Sequence, residues 1–223
     1  MKVERDGYAI VPNVFTLAEI QKLTSDLESS NLSRSRAGVR HLLGHSAVAE
    51  VASDPRMLGI AQHILGQSAF PFKATLFDKS PDANWLIVWH QDTALPLQTK
   101  HETAGWGPWS VKEGVTYAHA PASALEKVVA LRLHLDDSTD QNGPLRVILG
   151  THNQGVLSDS AVELSVAEKA PMSCTVSKGG VIAMHPLIIH ASSKSQSDSP
   201  RRVLHIEYAS SNAVQVPLQL ARA

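Results

Sequence analysis

The chain has 223 residues and a formal net charge of −1, with hydrophobic residues at 43%. That length suits one domain that buries its own core without covalent staples, and the near-neutral charge argues against nucleic acid as a main partner, since phosphate binding wants a basic surface. The single cysteine, Cys174, excludes a disulfide framework within the chain; together with the lack of an apolar N-terminal run or of any stretch near the roughly 20 apolar residues of a membrane span, it reads as a cytoplasmic protein with no membrane partner.

In chain order, residues 7–15 read as a short strand running into a turn. Thr16 fits a helix N-cap with Glu19 as its capping-box partner, and Leu17, Ile20, Leu23 and Leu27 follow at helical spacing. A second helical stretch covers residues 47–65, broken or restarted at Pro55 and ended by Gly66. From Phe70 onward strand-like runs dominate: 72–78, 85–90, 128–135, 145–149, 172–176, 180–184 and 202–209. Turn signals separate them at Ser80-Pro81-Asp82, Asn142-Gly143-Pro144, Gly179-Gly180 and Ser199-Pro200. The polar run 193–199 reads as a solvated hairpin loop. Cys174 reads as a core residue, since it lacks the neighbours of a reactive thiol.

This succession predicts a mostly β domain with flanking α-helices, a jelly-roll or double-stranded β-helix of cupin-like type. One domain spans residues 1–223, with a helical part to about 68 and a jelly-roll core over about 69–212. Residues 93–126 are too long for a plain connection and are expected to be functional or to carry small helices. They hold Trp106, Trp109, Tyr117 and His119, and they begin directly after a candidate metal ligand. They are therefore expected to form a lid, with Trp106 and Trp109 offering apolar faces to substrate.

The chemistry centres on Trp89-His90-Gln91-Asp92. In a strand, residues i and i+2 share a face, so His90 and Asp92 are expected to reach one ion. An imidazole and a carboxylate are two of the three ligands in the facial triad of non-haem iron(II) oxygenases. Downstream, the apolar run from Gly180 ends in His190 and reads as a strand that delivers one polar side chain into a site. His185 is the rival ligand, but it precedes Pro186, where the backbone is constrained. Eleven residues past His190 comes Arg201, whose planar fork suits a bidentate grip on a carboxylate. In the strand around Leu131-Arg132-Leu133-His134, alternation puts Arg132 and His134 on one face.

The ordered set of motifs resembles the phytanoyl-CoA dioxygenase family of 2-oxoglutarate oxygenases. It comprises Asp6-Gly7-Tyr8-Ala9-Ile10-Val11-Pro12-Asn13-Val14, then Trp89-His90-Gln91-Asp92, then residues 142–152 from Asn142-Gly143-Pro144, then Gly180 to His190-Ala191-Ser192, and lastly Pro200-Arg201-Arg202. The resemblance implies iron(II) at His90, Asp92 and His190. It implies 2-oxoglutarate held by Arg201 and Ser192, with Lys73 or Thr75 as further contacts, and O2 as oxidant. The implied reaction hydroxylates a C–H bond of a small-molecule substrate while 2-oxoglutarate becomes succinate and CO2; Asp92 favours hydroxylation over halogenation. Two departures are Leu149-Gly150-Thr151-His152, where the family usually has Pro-Gly-Ser-His, and Arg132, where acyl-CoA-directed members tend to carry an aromatic. Arg132, with His134, therefore suggests a smaller or anionic substrate. The alternatives are a non-catalytic jelly-roll binding protein and a cupin-like metal enzyme without 2-oxoglutarate, neither of which needs Arg201.

Overall fold

The computed structural model describes residues 2–32, 38–80, 83–215 and 217–223. The chain opens with α1 (Lys2–Asp6) and β1 (Tyr8–Val11), followed by α2 (Leu17–Ser29). The predicted capping box is present: Thr16 accepts from the Glu19 backbone and the Glu19 carboxylate accepts from the Thr16 backbone. Ile20, Leu23 and Leu27 are buried, whereas Leu17, in the first turn, is 66% exposed. The strand pair β2 (Gly38–Val39) and β3 (Phe70–Lys79) flanks α3 (Ser46–Ser53) and α4 (Pro55–Leu65). Pro55 restarts the helix because Asp54 caps it and a proline at the first helical position gives up no bonded N–H.

The remaining elements are β4 (Ile87–His90), β5 (Ala94–Leu97), β6 (Trp109–Lys112), β7 (Val115–His119), α5 (Ala122–Leu125), β8 (Val128–His134) and β9 (Leu145–Val147). After them come α6 (Asp159–Glu168), β10 (Met172–Cys174), β11 (Val181–Met184), β12 (His190–Ser192) and β13 (Arg201–Ala209). Of the turn predicted at Ser80-Pro81-Asp82, Pro81 and Asp82 lie outside the described residues. Among the described residues no helix is long and apolar enough to cross a membrane.

Two antiparallel sheets form the jelly roll: a major sheet ordered β1-β11-β8-β13-β3-β2 and a minor sheet ordered β10-β9-β12-β4. The outer face of the major sheet carries Ala74, Leu76, Val129, Leu131, Leu133, Leu204, Ile206 and Tyr208 and packs against the helices. Each such side chain, once buried, contributes about 1.5–3 kcal/mol for the larger hydrophobes, and Tyr208 adds a hydrogen bond to the Ala52 carbonyl. Between the sheets, Ala130, Ile182 and Met184 meet Leu145, Val147 and Cys174, so one half of the interior is apolar. Burial pushes the Cys174 thiol up to about 12, as an inert core thiol requires.

Two sequence expectations are corrected here. Residues 180–190 are not one strand: β11 belongs to the major sheet, and the chain turns through 185–189 to start β12 in the minor sheet. Thr151 makes that turn, its hydroxyl donating to the Ile148 carbonyl and accepting from the Ile189 backbone. Residues 93–126 are not a loop with helices alone, because β5, β7 and β6 form a third antiparallel sheet. Trp106 packs against the buried cluster that holds Phe72, Leu95 and Ala120 and, with Trp109, against the Leu97, Ala118 and Leu218 cluster.

Candidate active site

The inner face of the major sheet differs from its outer face in kind. Alternation brings Lys73, Thr75, Phe77 and Lys79 inward from β3, Arg201, Val203, His205 and Glu207 from β13, and Arg132 and His134 from β8. Glu207 faces Lys73, His205 faces Thr75 and Arg132, Val203 faces Phe77 and His134, and Arg201 faces Lys79. A strand with polar residues at every second position would be costly in an apolar core. Here it faces a site.

His90 and His190 lie opposite each other across the β4–β12 ladder, with ring centroids 4.3 Å apart. Asp92 lies two residues beyond the end of β4, so strand parity is not what aims it. Its backbone N–H donates to the Pro186 carbonyl (2.9 Å), and that bond carries the chain around the site. Gln91 points the other way and is buried, donating to the Gly155 and Leu187 carbonyls and accepting from the Leu157 backbone. The Asp92 carboxylate lies 3.6 Å from His90 Nε2 and 3.5 Å from His190 Nε2. One ligand atom from each of the three residues falls within 4.8 Å of the others.

Both rings are fixed in a way that suits metal ligation. His90 Nδ1 donates to the Val88 carbonyl (2.8 Å) and His190 Nδ1 to the Ile188 carbonyl (2.9 Å), which leaves the Nε2 lone pairs facing Asp92. Burial pushes His190 down to about 4, so its imidazole is neutral as a ligand must be. Burial acts the same way on His90, but hydrogen bonding and attraction to Asp92 outweigh it and leave that ring raised. Burial also opposes the Asp92 charge, yet His190 and His90 hold the carboxyl well below its usual range. The Asp92 side chain remains 41% exposed, so the triad opens to solvent on one side.

Arg201 is buried at the other end of the inner face. It donates to the Asn142 carbonyl (3.1 Å) and to Ser192 Oγ (3.3 Å). Its neighbour Arg202 points outward and pairs with Asp136 and Glu28, as alternation along the strand demands. Ser192 is itself buried and donates to the Gly143 carbonyl. Gly143 has a φ of 67°, and a Cβ there would meet the Ser193 carbonyl oxygen and crowd Lys79 Nζ, so the Asn142-Gly143-Pro144 turn needs glycine.

Lys79 carries no signal in the sequence, where the strand reads as ending at residue 78, one residue short of its end in the structure. It is fully buried, donates to Ser192 Oγ (2.8 Å) and the Ser193 carbonyl, and lies over the Trp85 ring. Burial, with Arg201 and Arg132 close by, pushes it down to about 7. Lys73 sits at the open end, where it pairs with Glu207 (2.7 Å) and faces the Tyr117 ring. Thr75 is buried one level deeper. Thr93 and His119 share a hydrogen bond (2.7 Å) where the third sheet leaves the triad, and Tyr117 bonds His41 (2.9 Å). His185 is not at the site: it stacks on His152 with centroids 5.1 Å apart.

His134 and His185 set an acid limit on stability. Burial is the main cause that pushes His134 down to about 3 and His185 down to about 4, with Arg132 and Arg201 adding to the first and His152 to the second. An unfolded histidine takes up its proton near 6.5, so the unfolded chain binds more protons as pH falls from about 6.5 to 4. Stability is complete above that window and is lost on descending through it. The urea midpoint is expected to be lower at pH 5 than at pH 7. Equal midpoints would count against neutral burial of these rings.

A jelly roll that presents two imidazoles from one sheet, a carboxylate just past the end of its edge strand and a buried arginine on the other sheet fits the non-haem iron oxygenases that use 2-oxoglutarate. Within that class the chain belongs to the phytanoyl-CoA dioxygenase (PhyH) family, whose pattern matches residues 3–203. The chain is 27% identical over 244 residues to L-proline trans-4-hydroxylase of Streptomyces griseoviridis, covering 92% of this chain and 82% of that protein. It is 24% identical over 185 residues to the ectoine dioxygenase of Stutzerimonas stutzeri (strain A1501), covering 76% of this chain and 54% of that one, so it spans about half the length of that relative. Its fold matches the crystal structure of EctD from S. alaskensis with 2-oxoglutarate and 5-hydroxyectoine at a TM-score of 0.71 and 18% identity, covering 95% of this chain and 74% of that one.

Proposed function

We propose that the protein hydroxylates a C–H bond of a small molecule in the cytoplasm, with iron(II) at His90, Asp92 and His190 and 2-oxoglutarate gripped by Arg201. The observation that carries this reading is the pair of Nδ1–carbonyl bonds that turns both Nε2 lone pairs toward one carboxylate. Bound iron would supply the oxygen chemistry, coupling decarboxylation of 2-oxoglutarate to succinate and CO2 with oxidation of the substrate. The chain's own residues bind and orient. His90, Asp92 and His190 would hold the ion from one side, leaving room for co-substrate and oxygen, and Ser192 braces the Arg201 fork. The small-molecule class is supported by the proline and ectoine named for the relatives.

The test is metal content. His90→Ala should retain iron at least about tenfold less tightly than the parent, since even outer-shell changes cost that much, and succinate release from 2-oxoglutarate should vanish. Unchanged iron content would remove the triad. Residues 93–126 then read as the cover of the open end, because they start beside Asp92 and their sheet brings Tyr117 over Lys73. Protease cleavage within 93–126 is expected to slow when iron and 2-oxoglutarate are both present. Cleavage at the same rate with and without them would leave that segment a static wall.

A further inference from the structure

The third sheet has two unlike faces. One carries Leu95, Leu97, Trp109 and Ala118, which pack into apolar clusters. Register and alternation put Ser110, Lys112, Val115, Tyr117 and His119 on the other. Two contacts show where that second face looks. His119 shares a hydrogen bond with Thr93, the residue after Asp92 (2.7 Å). Lys73, from the inner face of the major sheet, holds its Nζ 5.8 Å from the centre of the Tyr117 ring. Tyr117 stands two residues before His119 on β7, about 7 Å along the strand. The face therefore borders the open end of the proposed metal site.

Around the Tyr117 ring the charges do not balance. Lys112 holds its Nζ 5.1 Å from the ring centre, so two ammonium groups address one ring. Lys73 is matched by Glu207 (2.7 Å). The other carboxylate nearby, Glu113, is taken by Arg40 (3.0 Å) and lies 3.8 Å from His41 Nδ1. Among the described residues, nothing but the ring meets the Lys112 ammonium. A lysine on open surface is ordinarily solvated and needs no account. This one stands on a platform that the chain fixes at its tip and at its ring. The Glu113-Gly114 turn has both φ values positive, at 51° and 81°, the pair that two-residue hairpin turns favour. His41 is held at φ 58° and hydrogen-bonds the Tyr117 hydroxyl (2.9 Å). Residues other than glycine seldom adopt that conformation, and His41 and Glu113 both do so where they meet.

We propose that Lys112 is a specificity-determining residue, which binds the carboxylate of a small acidic substrate while the rest of that substrate extends toward the triad. This deepens the proposed function and rests on it. A single unmatched ammonium suits one negative charge, hence a carboxylate and not a phosphate ester, which carries nearly two. Before substrate arrives, the Tyr117 ring holds the ammonium by cation–π attraction. Tyr117 is thus the seat of Lys112, and His41 is a positioning residue that fixes the seat through its hydroxyl.

The test sets each acid against its own amide, which keeps the skeleton and loses the charge. L-proline, L-leucine and hexanoate, each beside its primary amide, are assayed for succinate release from 2-oxoglutarate with iron(II) and oxygen. At least one acid should raise the rate, with a KM about tenfold or more below that of its amide, the difference a hydrogen bond to a charged group makes. Lys112 is exposed, so Lys112→Met leaves the core untouched. In that variant the KM of the acid should rise until acid and amide agree within about threefold. Lys112→Arg keeps the charge and should restore most of the difference. A merely structural loss would move acid and amide together. An unchanged acid-to-amide ratio in Lys112→Met overturns the inference. So does a parent that responds to the amides as well as to the acids, or to none of the three acids while still binding 2-oxoglutarate; each of these results leaves the proposed function standing. A parent that binds iron but not 2-oxoglutarate in anaerobic calorimetric titration overturns both.

Discussion

Arg201→Leu is expected to weaken 2-oxoglutarate binding by about 2–5 kcal/mol, roughly 30-fold to several thousand-fold. The same change should not lower the stability of the ligand-free protein. Burial, with Arg132 nearby, already pushes Arg201 down to about 10, and its partners are a carbonyl and a hydroxyl. Removing an uncompensated charge from such a place relieves a cost. Arg202→Leu is the opposite case. Its guanidinium bonds Asp136 and Glu28 on the outside of the sheet, so stability should fall and 2-oxoglutarate affinity stay within about twofold. Calorimetric titration and urea melts on the two variants check both halves. Loss of affinity in the Arg202 variant with none in the Arg201 variant would reverse the assignment.

The second large effect is on folding. Glu207→Leu is expected to destabilise the protein by up to about 3–5 kcal/mol, because it strands a largely buried ammonium. Burial works against the charge on Lys73 and against the charge on Glu207; mutual attraction outweighs it for both, leaving Lys73 raised and Glu207 lowered. With Glu207 gone, Lys73 keeps its burial and loses the attraction. The Lys73→Met, Glu207→Leu double variant should recover much of the loss, since two apolar side chains of similar size replace a pair whose desolvation nearly cancels its attraction. A double-mutant cycle from denaturant melts measures this. Additive losses would mean that the two residues act independently.

Much of the site was legible because each ligand came with a local pattern. His90 and Asp92 stand two apart, Arg201 opens a strand after a polar loop, and the Arg132–His134 alternation appears in the structure as read. The parity argument pairs two residues that the structure also brings together, but for an incomplete reason. Asp92 lies past the strand, and its aim comes from a backbone bond to Pro186, which joins segments about a hundred residues apart and leaves no trace in a local window. The same holds for the break between β11 and β12. Eleven mostly apolar residues look like one strand, since periodicity does not distinguish a strand that stays in its sheet from one that crosses to the other. Lys79 was illegible for a related reason. A lysine at a strand end reads as solvated, and only the pairing of β3 with β13 puts it next to Arg201. The third sheet of residues 94–119 was hidden by its glycines, proline and short strands, which resemble a loop in composition.

The proposed metal ligands and the proposed co-substrate arginine sit on different walls. His90 and His190 belong to the minor sheet and Arg201 to the major one, so 2-oxoglutarate bridging them would act as a tie-beam across the sandwich. Mass action sets how tight the beam is: the folded state gains RT ln(1 + [L]/Kd), about 2.7 kcal/mol when the ligand stands at a hundred times its dissociation constant. On the proposed site, the stability of this fold would be coupled to the supply of its co-substrate: when that supply falls, the protein would lose its co-substrate and part of its resistance to unfolding at the same moment.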